Sequence, residues 1–384
     1  MWRHIASNAL TMLIVAVFLV GGLILWGQNE YSAQGPLDEQ ICLRVERGSN
    51  VGIVSENLEK QGAISSGMLL RIGMDYTDLA GQLKAGSYLV PPKSSPKEIA
   101  DIITRGGAST CGTEIVYRIG VTQLSNLVRE LDPATSEYIE KAKFDPATEE
   151  APAEYIAVRE RPDTRVRIAI AEGVTSWQIV EGLKRISLLE GEIAEVPAEG
   201  SLAPQSYEVR KGDKREELLV EMAARQERIL AEAWENRVDG LPVNSPEEAL
   251  ILASLIEKET GVAEERRQVA SVFVNRLRQG MKLQTDPTVI YGITNGQGVL
   301  GRGLRRSELR AETPYNTYVI DALPPTPIAN PGRASIEAAL DPDSTDYIFF
   351  VADGTGGHAF AVTLDEHNAN VARWREIEAE RATD

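Results

Sequence analysis

The sequence predicts an α+β protein: one N-terminal transmembrane helix, a run of small strand-turn-helix units, and a larger mixed helical and β region. Three observations predict it. An uncharged apolar run spans Ala9 to Trp26, short strand and helix patterns alternate from about 40 to 183, and long helical patterns from 245 onward end in a hairpin pattern. The chain of 384 residues is long enough for two or three domains, and its 43% apolar and 25% charged content is that of a globular protein.

Ala9 to Trp26 runs without a charge, about the length that crosses a hydrocarbon layer roughly 30 Å thick, with Trp2 and Trp26 where interfacial anchors belong. Arg3 and His4 precede the run and Glu30, Asp38 and Glu39 follow it. This thin bias puts the amino terminus in the cytoplasm and the remainder outside. A cleaved signal peptide is the competing reading; the long apolar run and the lack of a small-x-small site favour a retained anchor. Residues 1–27 are therefore read as the anchor and 28–39 as a linker.

The first unit follows, with Ile41–Val45 as a strand, Gly48–Asn50 as a turn and Val51–Glu59 as a helix. The same shape is expected at Thr113–Ile119 with a helix over Leu124–Leu131, and at Val166–Ile170 with a helix over Trp177–Leu183. Lys84–Val90 adds a strand and Ser95-Pro-Lys-Glu98 a capped helix start. Proline, alanine and acidic residues between about 132 and 164 read as a mobile stretch, so 108–164 is taken as an insertion. A Glu-, Arg- and Ala-rich helix is expected over about 215–236.

A net charge of -17 offers no basic stripe and excludes a nucleic-acid partner. His4, His358, His367, Cys42 and Cys111 show no metal-ligand spacing, which leaves zinc and Cys-His chemistry without a basis. A disulfide between Cys42 and Cys111 and two unpaired buried cysteines are both open.

Ser245-Pro-Glu-Glu248 reads as a capping box that starts a helix at Pro246, and Ala249–Ile256 is apolar on nearly every side, as a buried helix is. Glu257 and Glu259 end that helix. Two residues at about 100° each put them roughly 200° apart, so they cannot face one cleft. Glu259 shares the side of Leu252, Leu255 and Ile256, where desolvation would raise its pKa and let it hold a proton as a general acid. The alternative is a helix-end glutamate paired with Lys258, Arg266 or Arg267.

Val262–Gln279 reads as a second amphipathic helix. Beyond it, Gln284, Thr285 and Tyr291 crowd polar and aromatic groups around Asp286-Pro287, which looks like a helix cap. Tyr315–Tyr318, Leu323–Gly332 and Gly356–Phe360 are loops of similar character, and Tyr347–Val351 with His358–Val362 read as a β-hairpin.

Glu257-Lys-Glu-Thr260, Val269–Leu277, Gly280–Tyr291 with its Gln-Thr-Asp-Pro-Thr core, Tyr315-Asn-Thr-Tyr318, Leu323-Pro-Pro325, Ile328–Gly332, Phe350–Gly354 and Gly357-His358 resemble the YceG-like family. Its best-known members are the MltG-type endolytic murein transglycosylases. The likeness covers about 165–370 closely and 40–107 more loosely, the latter resembling a LysM-like module, a type that binds wall glycans. It implies a catalytic domain over 165–384, anchored in the inner membrane and facing the periplasm. It further implies cleavage of the MurNAc-GlcNAc bond within peptidoglycan strands, termination of nascent strands, and peptidoglycan synthases as further partners.

The resemblance makes Glu259 the catalytic acid/base. Gln284, Thr285, Asp286, Tyr291, Asn316 and Tyr318 are the candidates for holding the sugar, and Glu257 is a supporting residue. No metal or cofactor is needed. Ala198–Tyr207 departs from the family's Pro-Asp-Thr-Tyr by Gln205-Ser206, and the stretch 108–164 has no clear counterpart. A non-catalytic wall-binding scaffold is the alternative function. True hydrolysis would need a water-activating base, for which Asp286 is the nearby candidate.

Overall fold

A computed structural model describes residues 2–107 and 109–381. The side chains of Trp2, Arg3 and His4 lie outside what is described, as does Ala108 at the start of the expected insertion. The first element is α1 (Trp2–Ser32), whose Leu10–Ser32 portion is long and apolar enough to cross a membrane, with the residues from Leu10 to Trp26 left uncovered by the rest of the chain.

The expected strand-turn-helix unit follows as β1 (Ile41–Val45), α2 (Val51–Lys60), α3 (Gly67–Tyr76), β2 (Gly86–Val90) and α4 (Pro96–Arg105). β1 and β2 pair antiparallel, with Ile41 opposite Val90 and Val45 opposite Gly86. Side chains set the helix starts: Asn50 accepts from Ile53 N and Ser66 from Leu69 N, while Ser95 and Glu98 form a reciprocal capping box. Leu58, Leu70, Met74, Val90, Ile99 and Ile103 are fully buried at the centre, and Tyr31 from the end of α1 joins them. Cys42 and Cys111 are disulfide-bonded, which resolves the two readings of the cysteines. Nearby, buried Asp163 ties Arg161, Arg44 and Ser87 together.

Next come β3 (Thr113–Ile119), β4 (Leu124–Asp132), β5 (Glu137–Phe144), α5 (Ala153–Val158), β6 (Arg165–Ile170), α6 (Ser176–Lys184) and β7 (Ser206–Val209). The strands form one sheet in the order β5-β4-β3-β6-β7. Leu124–Leu131 is thus a strand, not the expected helix. Its apolar residues fall at helical spacing, but Gly120 N donates to Gln123 O across a tight connection and the segment pairs in the sheet. The acidic stretch read as mobile carries β5 and α5. Phe144 packs edge-on against Tyr155 there, which gives the segment an apolar contact its composition hides.

By contacts the chain forms two compact units, one of Met1–Val116, Leu127–Phe144 and Glu149–Val166, the other of Tyr117–Asn126, Asp145–Thr148 and Arg167–Asp384. The second holds α7 (Arg215–Glu235), α8 (Pro246–Glu259), α9 (Arg266–Arg278), α10 (Asp286–Thr294), α11 (Arg333–Leu340), β8 (Phe349–Ala352), β9 (His358–Ala361) and α12 (Leu364–Arg381). Leu252, Leu255 and Ile256 of α8, Val269 and Phe273 of α9 and Ile336 of α11 are fully buried in its core. β8 and β9 form the expected hairpin, with Phe350 opposite Phe360.

Two local expectations change. Ser245 Oγ accepts from Glu248 N, but the Glu248 carboxylate turns to Asn244 N at 2.7 Å, so only half of the capping box forms. The second amphipathic helix starts at Arg266, after a 3-10 turn over Ala263–Glu265.

Candidate active site

Glu257 and Glu259 diverge as helical phase requires. Glu257 Oε2 accepts from Gly332 N at 2.9 Å, while Glu259 Oε1 accepts from the Thr285 hydroxyl. Lys258 reaches Gly173 O at 3.2 Å and Arg267 pairs with Asp341 and Asp343, so these helix-end cations are engaged elsewhere. Burial is the strongest influence on the Glu259 carboxyl and pushes its pKa above the usual carboxylate range. The Thr285 hydrogen bond pulls it down, the charge of Asp286 pushes it up, and His358 and Arg276 pull it down.

Thr285 is itself fixed by the backbone. Its N donates to Thr317 Oγ1 at 3.0 Å and its O accepts from Thr288 Oγ1 at 2.7 Å, with all three threonines buried. Gln284 N donates to Thr317 O at 3.1 Å from a left-handed backbone, φ 49°, a conformation a non-glycine residue holds only when its surroundings impose it. Its side chain is exposed beside the Glu259 partner.

Asp286 is not the helix cap that Asp286-Pro287 suggests. Thr285 occupies the cap position of α10 without a capping bond, and Asp286 Oδ1 accepts from Tyr318 Oη at 2.6 Å. Burial, then the Asp286 bond and charge, raise the Tyr318 phenol's pKa, so it remains a hydrogen-bond donor.

The other two candidates face elsewhere. Asn316 is fully buried; its Nδ2 donates to Glu308 O and Ala311 O and its Oδ1 accepts from Tyr318 N, so it shapes the loop that carries Tyr318 and leaves no group for a sugar. Tyr291 donates to Glu199 Oε2 at 3.1 Å and packs against Tyr315, centroids 5.0 Å apart. Glu199 also accepts from Ser176 N and from Asn330 Nδ2, and Asn330 Oδ1 accepts from Leu202 N. Tyr291 therefore belongs to a network that holds the 330 loop against the start of α6.

Three residues join the site that the candidate set lacked. Arg276 Nη1 donates to Leu283 O at 2.5 Å and Nε to Ile348 O at 2.7 Å, bracing the segment before Thr285 and that before β8. It stands on α9 three, four and seven residues after Phe273, Val272 and Val269, and an arginine on the apolar stripe was the available signal. His358 donates its backbone N to Glu265 Oε1, and its Nδ1 lies 2.9 Å from Glu265 Oε2. A Cβ on Gly357 would run into the Glu265 carboxylate, so glycine is what lets Glu265 hold both the backbone N and the ring Nδ1 of His358.

The YceG-like family model matches residues 43–373. The chain belongs to the YceG-like family. It is 30% identical over 357 residues to the endolytic murein transglycosylase of Bacillus subtilis, with 91% of this chain and 89% of that protein covered. With the endolytic murein transglycosylase of Streptococcus pneumoniae strain D39 it shares 25% identity over 383 residues, 96% of this chain but 65% of that longer protein. A solved structure of a YceG-like protein from Listeria monocytogenes matches 86% of this chain and 99% of its own length at 25% identity, with a TM-score of 0.46.

Two substitutions at this YceG-like site have opposite expected signs. Thr285→Val removes a bond that lowers the Glu259 pKa, and Asp286→Asn removes a charge that raises it. If protonated Glu259 is the acid, activity falls as pH rises through its pKa. The alkaline limb of kcat/KM should therefore move up in Thr285→Val and down in Asp286→Asn. Limbs that stay in place in both variants would show that another group supplies the proton.

Proposed function

We propose that this chain is a peptidoglycan lytic transglycosylase that cuts MurNAc-GlcNAc β-1,4 bonds within glycan strands and leaves 1,6-anhydro-MurNAc ends. The observation that carries this reading is the Glu259 carboxyl, kept protonatable by burial and aimed by Thr285. The family relationship and the names of the relatives from B. subtilis and S. pneumoniae supply the substrate class.

In this mechanism Glu259 gives its proton to the glycosidic oxygen as the bond to MurNAc C1 breaks. The resulting carboxylate takes the proton of the C6 hydroxyl, whose oxygen bonds to C1 and closes the anhydro ring. Proton and electron pairs balance without water, and one carboxylate serves both halves. Arg276 and His358 favour the carboxylate that forms between the two transfers. Gln284, Asp286 and Tyr318 border the acid and are the groups we assign to orienting the sugar, and Glu257 supports the site by holding the 332 loop.

We assign α1 to the inner membrane, with the chain from β1 onward in the periplasm. A disulfide between Cys42 and Cys111 suits an oxidising compartment. The strand-helix-helix-strand order of β1, α2, α3 and β2 supports reading 40–107 as a LysM-like module that holds the glycan near the membrane. Termination of nascent strands beside peptidoglycan synthases follows from that location.

Digestion of purified peptidoglycan by the full chain, with products weighed, tests the reading. Anhydro ends are expected. Reducing ends would assign hydrolysis instead, and intact glycan with a folded sample would leave a wall-binding scaffold.

A further inference from the structure

α3 carries an apolar stripe that faces outward. Met68, Ile72 and Tyr76 follow one another at four-residue intervals and are 63%, 55% and 79% exposed, while Leu70 and Met74 on the other side are fully buried. Gly73 lies between these two faces. A Cβ there would run into the ring of Tyr31, so α3 packs directly on the end of α1.

α1 is continuous from its apolar portion through Tyr31, and this fixes the height of α3 above a bilayer. The apolar run ends at Trp26. Five residues farther, at about 1.5 Å each, Tyr31 stands roughly 7 Å beyond the hydrocarbon edge. The headgroup layer is about 5 to 7 Å deep on each side, half the difference between a core of about 30 Å and a bilayer of about 40–45 Å. Tyr31 and Gly73 are thus at headgroup level, and the stripe beside Gly73 is within a side chain's length of the acyl region.

We propose that the Met68–Ile72–Tyr76 face of α3 rests in the membrane interface, a second point of attachment that fixes how the first compact unit is tilted on the bilayer. Tyrosine is favoured in that layer, and the charges of Asp75 and Asp78 beside and after the stripe limit the contact to the headgroups. The proposal rests on α1 as the membrane anchor and is independent of the chemistry at Glu259.

Because Cys42 and Cys111 are paired, a single introduced cysteine can be labelled selectively with an environment-sensitive fluorophore. The full chain would be reconstituted in lipid vesicles with labels at Ile72→Cys and at Leu19→Cys inside the span. With nitroxide placed on the lipids near the headgroup, the label at 72 should shift to the blue and lose most of its emission. Unquenched emission at 72 with quenching at 19 overturns the proposal. A blue shift at 72 without lipid quenching assigns the face to a second copy of the chain and also overturns it. No quenching at 19 removes the anchor itself, and the proposal with it.

Discussion

Glu259→Gln is expected to lower glycan cleavage by roughly 10²–10⁴-fold, the range that a positioned acid/base contributes. The fold should not suffer. Burial raises the Glu259 pKa, so the folded state holds the proton more tightly than the unfolded one. As pH rises from the ordinary glutamate range through the folded-state value, ionising this carboxyl therefore costs stability. Glutamine stays neutral, and it can still accept from Thr285. The variant's Tm at pH 7 to 8 should equal or exceed that of the unsubstituted chain, with the gap closing as pH falls. Full cleavage by the variant would sink the assignment; lost cleavage with a lowered Tm would mean that the glutamate is needed for packing.

The second large effect concerns the first compact unit. Cys42 and Cys111 are separated by 69 residues, and closing a loop of that size in the unfolded chain is worth about 4 kcal/mol in the chain-entropy account. Cys42→Ser with Cys111→Ser should lower the unfolding free energy of that unit by an amount of this order, read as a lower denaturant midpoint. Reductant should reproduce the shift in the unsubstituted chain and have no effect on the double variant. A midpoint unchanged by either treatment would show that packing around Leu43, Tyr88 and Val90 holds the unit unaided.

Much of this was legible in the sequence because local rules and tertiary structure agreed. The capped starts at Ser95 and Ser245, the hairpin at Phe349–Ala361 and the opposite facing of Glu257 and Glu259 each follow from spacing within one element. The failures lie where distant partners decide. Leu124–Asp132 has helical spacing and becomes a strand between β3 and β5. Asn316 and Tyr291 have side chains fit for sugars, yet the first is consumed by Glu308 and Ala311 and the second by Glu199. Asp286 looked like a cap until Tyr318 met it from 32 positions away. His358 was visible beside its glycine, but only Glu265, 93 positions earlier, shows why that glycine is there.

The surroundings of Glu259 come from widely spaced parts of the chain: Arg276, Thr285, Tyr318 and His358, the last on the final strand. A chain emerging amino terminus first would thus complete α1 and the first unit's disulfide partners long before the groups around Glu259 could meet. Chains cut short before residue 358 should still form the Cys42–Cys111 bond while lacking the His358–Glu265 contact.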